Sequence, residues 1–158
     1  MPTPIPTFLH TDFYTHHAQL LSSSYERWTG QQLLSSRFPP HALVTQLFHA
    51  PFALVSHGTE DDPIFNFGNQ TALDLFGMSW EAFTQLPSRK SAEPVNREKR
   101  AHLMARVTKD GFINDYSGVR ISAKGKRFLI EKATVWNLID GQETYYGQAA
   151  VFEHWTYL

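Results

Sequence analysis

Apolar positions recur along this chain with two periods, and the change near residue 111 separates a mixed first part from a strand-rich last part. Tyr14, Ala18, Leu21, Tyr25 and Trp28 step by 4, 3, 4 and 3. That is a heptad-like stripe on a helix from Asp12, read as its cap, to about Trp28, with Gly30 as its stop. After Pro39-Pro40 a second helix, about His41 to His49, presents Val44, Leu47 and Phe48, and Pro51 ends it before a buried strand from Phe52 to Ser56. Ile64 to Phe67 reads as a strand, Gly68 as a tight turn and Asn69 as the N-cap of a helix carrying Leu73 and Phe76 and ended by Gly77. Ser79 caps a short helix from Trp80 to Gln85. A longer helix, about Asn96 to Lys109, sets Arg100, Leu103, Met104 and Val107 on one face and turns His102 to the other. From Gly111 the pattern becomes β-branched and aromatic. It predicts strands over 111–122, 127–139 and 144–152, joined by primed hairpin turns at Lys124-Gly125 and Asp140-Gly141.

Five strands with helices between and before them predict an α+β domain. Residues 1–11, rich in proline, read as a mobile tail, 12–49 as an N-terminal helical extension and 50–158 as the domain. Two-residue turns would set Tyr116 opposite Ala133, Gly118 opposite Glu131, Arg120 opposite Leu129, and Ala133 opposite Gln148. One sheet face would then carry Tyr116, Arg120, Glu131, Val135, Tyr146, Gln148 and Phe152. The other would carry Val119, Ile121, Phe128, Ile130, Trp136, Tyr145 and Val151. Large apolar groups on both faces predict that both are covered, one by the short inner helices and the other by the N-terminal helix.

Composition narrows the function classes. The 158 residues are 42% hydrophobic and 18% charged, as in a globular domain, and no apolar run has the length of a membrane span. With no basic leader followed by an apolar run, a cytoplasmic location and no membrane partner are expected. Cysteine is absent, which removes disulfides, thiolate metal sites and any cysteinyl adduct of a flavin. A net charge of −1 argues against a nucleic-acid partner. The charge is uneven, though: residues 89–109 hold seven of the fourteen basic residues, among them Arg89 and Arg97, against only Glu93 and Glu98.

The run IFNFGNQTALDLFG from Ile64 resembles the PAS signature, in which an asparagine follows a strand and a helix ends in Phe-Gly. Longer runs are similar to the MEKHLA domain family, a PAS-like group. They are APF at 50–52, SHGTEDDPIFNFGNQTAL from Ser56, PSRKSAEPVNREKR from Pro87, GFINDYSGVRIS from Gly111, KRFLIEKATVWNL from Lys126 and GQAAVF from Gly147. They cover about two thirds of the chain in the family's order. The resemblance implies a PAS-like fold with a five-stranded antiparallel sheet, short inner helices on one face and N-terminal helices packed outside. It also implies a sensory or small-molecule-binding module signalling or dimerising through the N-terminal helix. The family occurs free-standing and at the C-terminus of plant class III homeodomain-leucine-zipper proteins. This chain shows neither a homeodomain nor a long zipper, so DNA binding does not carry over.

Candidate chemistry is sparse. Tyr116, Arg120, Glu131 and Gln148 on one sheet face form either a self-satisfied polar cluster or a small-molecule pocket, with an Arg120–Glu131 pair across the strands. Arg89 and Arg97 could complete an anion site, or pair with Glu93 and Glu98. Tyr14, Leu21, Tyr25 and Trp28 pack either on the domain's own sheet or on a second protomer or partner protein. His102, facing solvent, disfavours haem ligation. His57, Asp61 and Asp62 read as a solvated loop rather than a metal site. Ser56 and His57 point to opposite sides of a strand and form no dyad. No GxSxG, P-loop, GxGxxG or HExxH motif is present, so no enzyme is expected and no cofactor is assigned. The rival readings are an interaction module with a filled core and, less favoured, a small enzyme on a cone-shaped α+β scaffold.

Overall fold

A computed structural model describes residues 7–91 and 94–158. The expected tail is anchored within these bounds, because Thr7–His10 forms one 3₁₀ turn that seats Leu9, fully buried, in the core. Helix α1 spans Asp12–Thr29. Its N-cap is Thr11, whose hydroxyl accepts from the Tyr14 amide, rather than Asp12, which stands in the first turn where its charge suits the helix dipole. Gly30 closes the helix in the left-handed region at φ 74°. Helix α2 (Pro40–Phe48) follows, then strands β1 (Ala53–His57) and β2 (Phe65–Gly68).

Asn69 caps helix α3 (Gln70–Phe76) and does more than cap. Its Oδ1 accepts from the Ala72 and Leu54 amides, and its Nδ2 donates to the carbonyls of Leu47 and Phe52. One fully buried side chain thus ties together α3, β1 and the end of α2. Ser79 caps α4 (Trp80–Phe83), and α5 runs over Pro94–Asp110.

The sheet is antiparallel in the order β2-β1-β5-β4-β3, with β3 over Phe112–Ile121, β4 over Arg127–Ile139 and β5 over Tyr145–Phe152. A sixth strand, β6 (His154–Tyr157), pairs with the first part of β4, while β5 pairs with its second part. The thirteen-residue length of β4 makes room for both.

The hairpins correct the expected register. Each has a three-residue loop whose last residue is left-handed, Gly125 at φ 80° and Glu143 at φ 64°, in place of a two-residue primed turn. In the second, Asp140 Oδ1 accepts from the amides of Gln142 and Thr144 and holds the turn. The longer loop moves the β4–β5 register by three residues and an irregularity between Leu138 and Ile139 adds a fourth, so the total shift is even and Gln148 faces Asn137 rather than Ala133 without changing sheet face.

The β3–β4 pairing is interrupted more severely. Between the pairs Tyr116–Ala133 and Gly118–Ile130, β4 carries one extra residue, with Lys132 at φ 55°. This bulge reverses the side-chain alternation of the first part of β4. Phe128 and Ile130, expected on the outer face, turn inward, and Phe128 packs edge-on to Phe76 of α3 at 5.3 Å. Glu131, expected inside, turns outward and accepts a hydrogen bond from Thr156 of β6 at 3.0 Å.

Both faces are covered, as the pattern requires. Helices α3, α4 and α5 lie on the inner face. Helix α1 lies on the outer face, where Tyr25 meets Trp136 at 5.0 Å, Trp28 Nε1 donates to the Asn137 carbonyl, and Ser24 Oγ both donates to the carbonyl and accepts from the amide of Ile139. The Trp28 ring lies over Gly111, which has no Cβ to obstruct it. Leu21 is fully buried and Tyr14 donates to the Asn66 carbonyl, so the stripe Tyr14, Leu21, Tyr25 and Trp28 packs within the chain, with Tyr14, Tyr25 and Trp28 half-buried.

Candidate functional site

A cavity of ≈ 40 Å³ lies between the inner sheet face and the helices. Its floor is Tyr116 and Arg120 of β3, Ile130, Ala133 and Val135 of β4, Gln148 and Phe152 of β5, and His57 of β1. Phe65, Phe76, Ser91 and Met104 are also among its lining residues. The local sequence explains this convergence. The Lys132 bulge brings Ile130 inward, and Gly118 leaves room for the Tyr116 ring, whose hydroxyl lies 2.6 Å from where a Cβ at residue 118 would stand. Gly147, at φ 128°, lets β5 approach β1 so closely that a Cβ there would lie 2.0 Å from the His57 carbonyl oxygen.

The lining is mostly apolar and holds one cation, Arg120, which is 8% exposed. Its guanidinium lies 5.3 Å from the centroid of the Tyr116 ring. Among the described residues no carboxylate lines the cavity and none pairs with Arg120. Gln148 is directed to α5. Its Nε2 lies 3.3 Å from the Met104 carbonyl and 3.1 Å from both Thr108 Oγ1 and Asn137 Oδ1. Asn137 Nδ2 donates to the Val107 carbonyl, so two side-chain amides sew α5 to the sheet. His57 Nδ1 lies 3.0 Å from the Gly58 carbonyl.

The structure thus brings together Tyr116, Arg120 and Gln148. Glu131 is separated from them by the bulge, and the expected Arg120–Glu131 pair does not form. Arg89 lies at the surface, where its Nε meets both carboxylate oxygens of Asp62 at 3.0 and 3.2 Å, and it does not line the cavity; Glu93, the partner weighed for it, lies outside the described residues. The Arg97 side chain lies outside the described residues. His102 is exposed, as its helical position implies. No group of three or more metal-ligating side chains occurs among the described residues. The pattern reading missed His57, Ser91, Phe76 and Met104. Strand alternation across Ser56 and His57 is the signal that finds the first, and the other three come from separate segments that only tertiary packing brings together.

A second polar group lies on the opposite face, under α1. His17 Nε2 is 2.9 Å from Ser56 Oγ, which donates in turn to Asn66 Oδ1 at 2.5 Å. With its proton committed to Asn66, the hydroxyl accepts from an Nε2–H. Burial, with a smaller contribution from the charge of His16, lowers the His17 pKa to about 4.

The family model for the MEKHLA domain matches residues 15–157. Among curated proteins, the chain is 27% identical over 142 residues to the homeobox-leucine zipper protein ATHB-14 of Arabidopsis thaliana, covering 87% of this chain and 17% of that protein. It is 24% identical over 146 residues to the homeobox-leucine zipper protein HOX29 of Oryza sativa subsp. japonica, covering 87% of this chain and 16% of that protein. The chain therefore spans less than a fifth of the length of these relatives.

Solved structures share the fold at low identity. The PAS domain of a protein from Colwellia psychrerythraea aligns with a TM-score of 0.59 and 16% identity, over 68% of this chain and 88% of that one. A light-oxygen-voltage domain studied with a flavin analogue aligns with a TM-score of 0.59 and 17% identity, over 74% and 84%. The light-oxygen-voltage domain of the blue-light photoreceptor Aureochrome1 aligns with a TM-score of 0.56 and 16% identity, over 75% and 86%. The fold is PAS-like.

Proposed function

The chain belongs to the MEKHLA domain family, and from that premise we propose that it is a sensory module that binds a small molecule between its sheet and inner helices and passes the signal to its N-terminal helix. The observation that carries this reading is the cavity, whose mostly apolar wall contains a buried cation with no carboxylate partner among the described residues. A route from cavity to α1 supports it. Gln148 lines the cavity and contacts Asn137, the Asn137 backbone carbonyl holds Trp28 of α1, and the Trp28 ring lies over Gly111 where α5 meets β3. A ligand that moved Gln148 or Met104 would bias the docking of α1, provided that it bound the two arrangements with different affinity.

A flavin, the group named for one structural neighbour, does not fit this wall. Pockets for ligands of that size run to roughly 300 Å³ or more, against ≈ 40 Å³ here. The small cavity also favours a second reading, an interaction module with a nearly filled core. Native mass spectrometry of freshly purified protein, with an absorbance scan of the same sample, separates the two. A reproducible extra mass that leaves on denaturation is expected for the sensor. A clean apo mass with a concentration-dependent dimer would favour the interaction module.

A further inference from the structure

We propose that the ligand is a small organic monocarboxylate, its carboxylate on the Arg120 guanidinium and its short apolar body among the surrounding rings and aliphatic side chains. This inference rests on the sensory reading and deepens it.

The first argument is electrostatic. A buried charge without a partner is costly, and the usual remedy is a counter-charge with hydrogen bonds. Arg120 is 8% exposed and has an aromatic face beside it, but no described residue supplies an anion to it. An aromatic face favours the cation without satisfying its five N–H donors. A guanidinium cannot relieve the problem by losing its proton. A planar carboxylate matches its fork of donors in bidentate fashion and neutralises it.

The second argument is the surroundings. Phe65, Phe76, Ile130, Val135 and Phe152 border the cavity. These groups suit an aliphatic body rather than a second charge. That composition disfavours an inorganic anion, a dicarboxylate and a sugar.

The third argument is size. One water needs about 10–15 Å³ of such volume, so ≈ 40 Å³ holds about four heavy atoms. That is acetate, or propionate with a small adjustment of the flexible Met104. A neighbouring groove of ≈ 120 Å³ shares Tyr116 and Arg120 with the cavity and is lined also by Lys99 and Leu103 of α5. It offers an anion a positively charged approach to Arg120.

The test uses the whole chain, with acetate, propionate and butyrate titrated against acetamide, propionamide and butyramide at constant ionic strength in sodium chloride. The readouts are the NMR signals of the Arg120 side-chain Nε–H and the Met104 methyl. Carboxylates are expected to shift both saturably, amides to leave them unchanged, and Arg120→Met to weaken the carboxylates at least tenfold. Should that variant fail to fold, the carboxylate–amide contrast in the wild-type chain still decides. Equal shifts with acids and amides would overturn the inference while leaving a ligand-binding cavity in place. The same saturation with chloride or nitrate alone would also overturn it, in favour of an inorganic anion. No saturable shift with any carboxylate would overturn it too, and the native mass spectrum would then judge the sensory reading separately.

Discussion

At the residue scale, two buried polar side chains support the fold in different ways. His17 is neutral in the folded chain because α1 and the sheet exclude water from it. Its folded pKa of about 4 lies below the ordinary 6.5, so the unfolded chain binds the extra proton first. The stabilisation is complete above about pH 6.5 and is lost as pH falls from there towards 4, with a total of about 3 kcal/mol. Thermal melts between pH 7 and 4 are expected to show this slope, and His17→Gln, which can keep a donor near Ser56, is expected to flatten it. Asn69 does not titrate but uses both ends of its amide. Asn69→Asp would set a carboxylate against the Leu47 and Phe52 carbonyls it now donates to. A loss of at least about 3 kcal/mol is expected in urea denaturation, more than for Asn69→Ala, because an uncompensated buried charge costs more than a missing group.

At the element scale, α1 is held by directional bonds as well as by its apolar stripe. Ser24 Oγ bridges the amide and carbonyl of Ile139, at 2.9 and 2.8 Å, beside the point where the β4–β5 register shifts. Ser24→Ala is expected to cost about 2 kcal/mol, in line with leaving buried backbone groups unpaired. Hydrogen exchange should locate the loss, with the Ile139 amide exchanging faster and the inner helices unchanged. Uniform acceleration throughout the chain would instead mean that Ser24 acts on global stability alone. The hairpins carry the same lesson. An Asp-Gly pair reads as a two-residue turn, yet Asp140 is the first residue of a longer one because its carboxylate accepts from two amides further on. That turn shifts the register by three residues, and the irregularity between Leu138 and Ile139 adds the fourth that decides which side chains meet across β4 and β5.

At the scale of the whole molecule, the sheet is a wall between two layers. The inner layer holds the cavity and the outer layer is α1. Trp136 of the central strand, fully buried, lies under α1. Removal of residues 1–30 is expected to uncover the outer face around it and give a chain that binds the dye ANS and aggregates, because an exposed apolar sheet face associates. A soluble, monomeric product of that truncation would show that α1 is an appendage and not a layer of the domain.

The sequence by itself determined the order of the elements through β5, the caps at Asn69 and Ser79, the glycine stops at Gly30 and Gly77, and the covering of both sheet faces. These are local or periodic properties: a cap, a stop or an amphipathic stripe acts within a few residues of itself. It also brought Tyr116, Arg120 and Gln148 to one face, since alternation along β3 and β5 is a parity rule that tolerates even shifts of register. Tertiary structure alone decided the rest. The Lys132 bulge is one extra residue with no local marker, and it moved Glu131 out of the site and Ile130 into it. The Ser56–His17 contact and the roof from Phe76, Ser91 and Met104 join segments distant in sequence, and no pattern along the chain encodes which distant side chains will meet. That no described residue pairs with Arg120 was decided in the same way, because burial and pairing belong to the packed molecule and not to any one stretch of it.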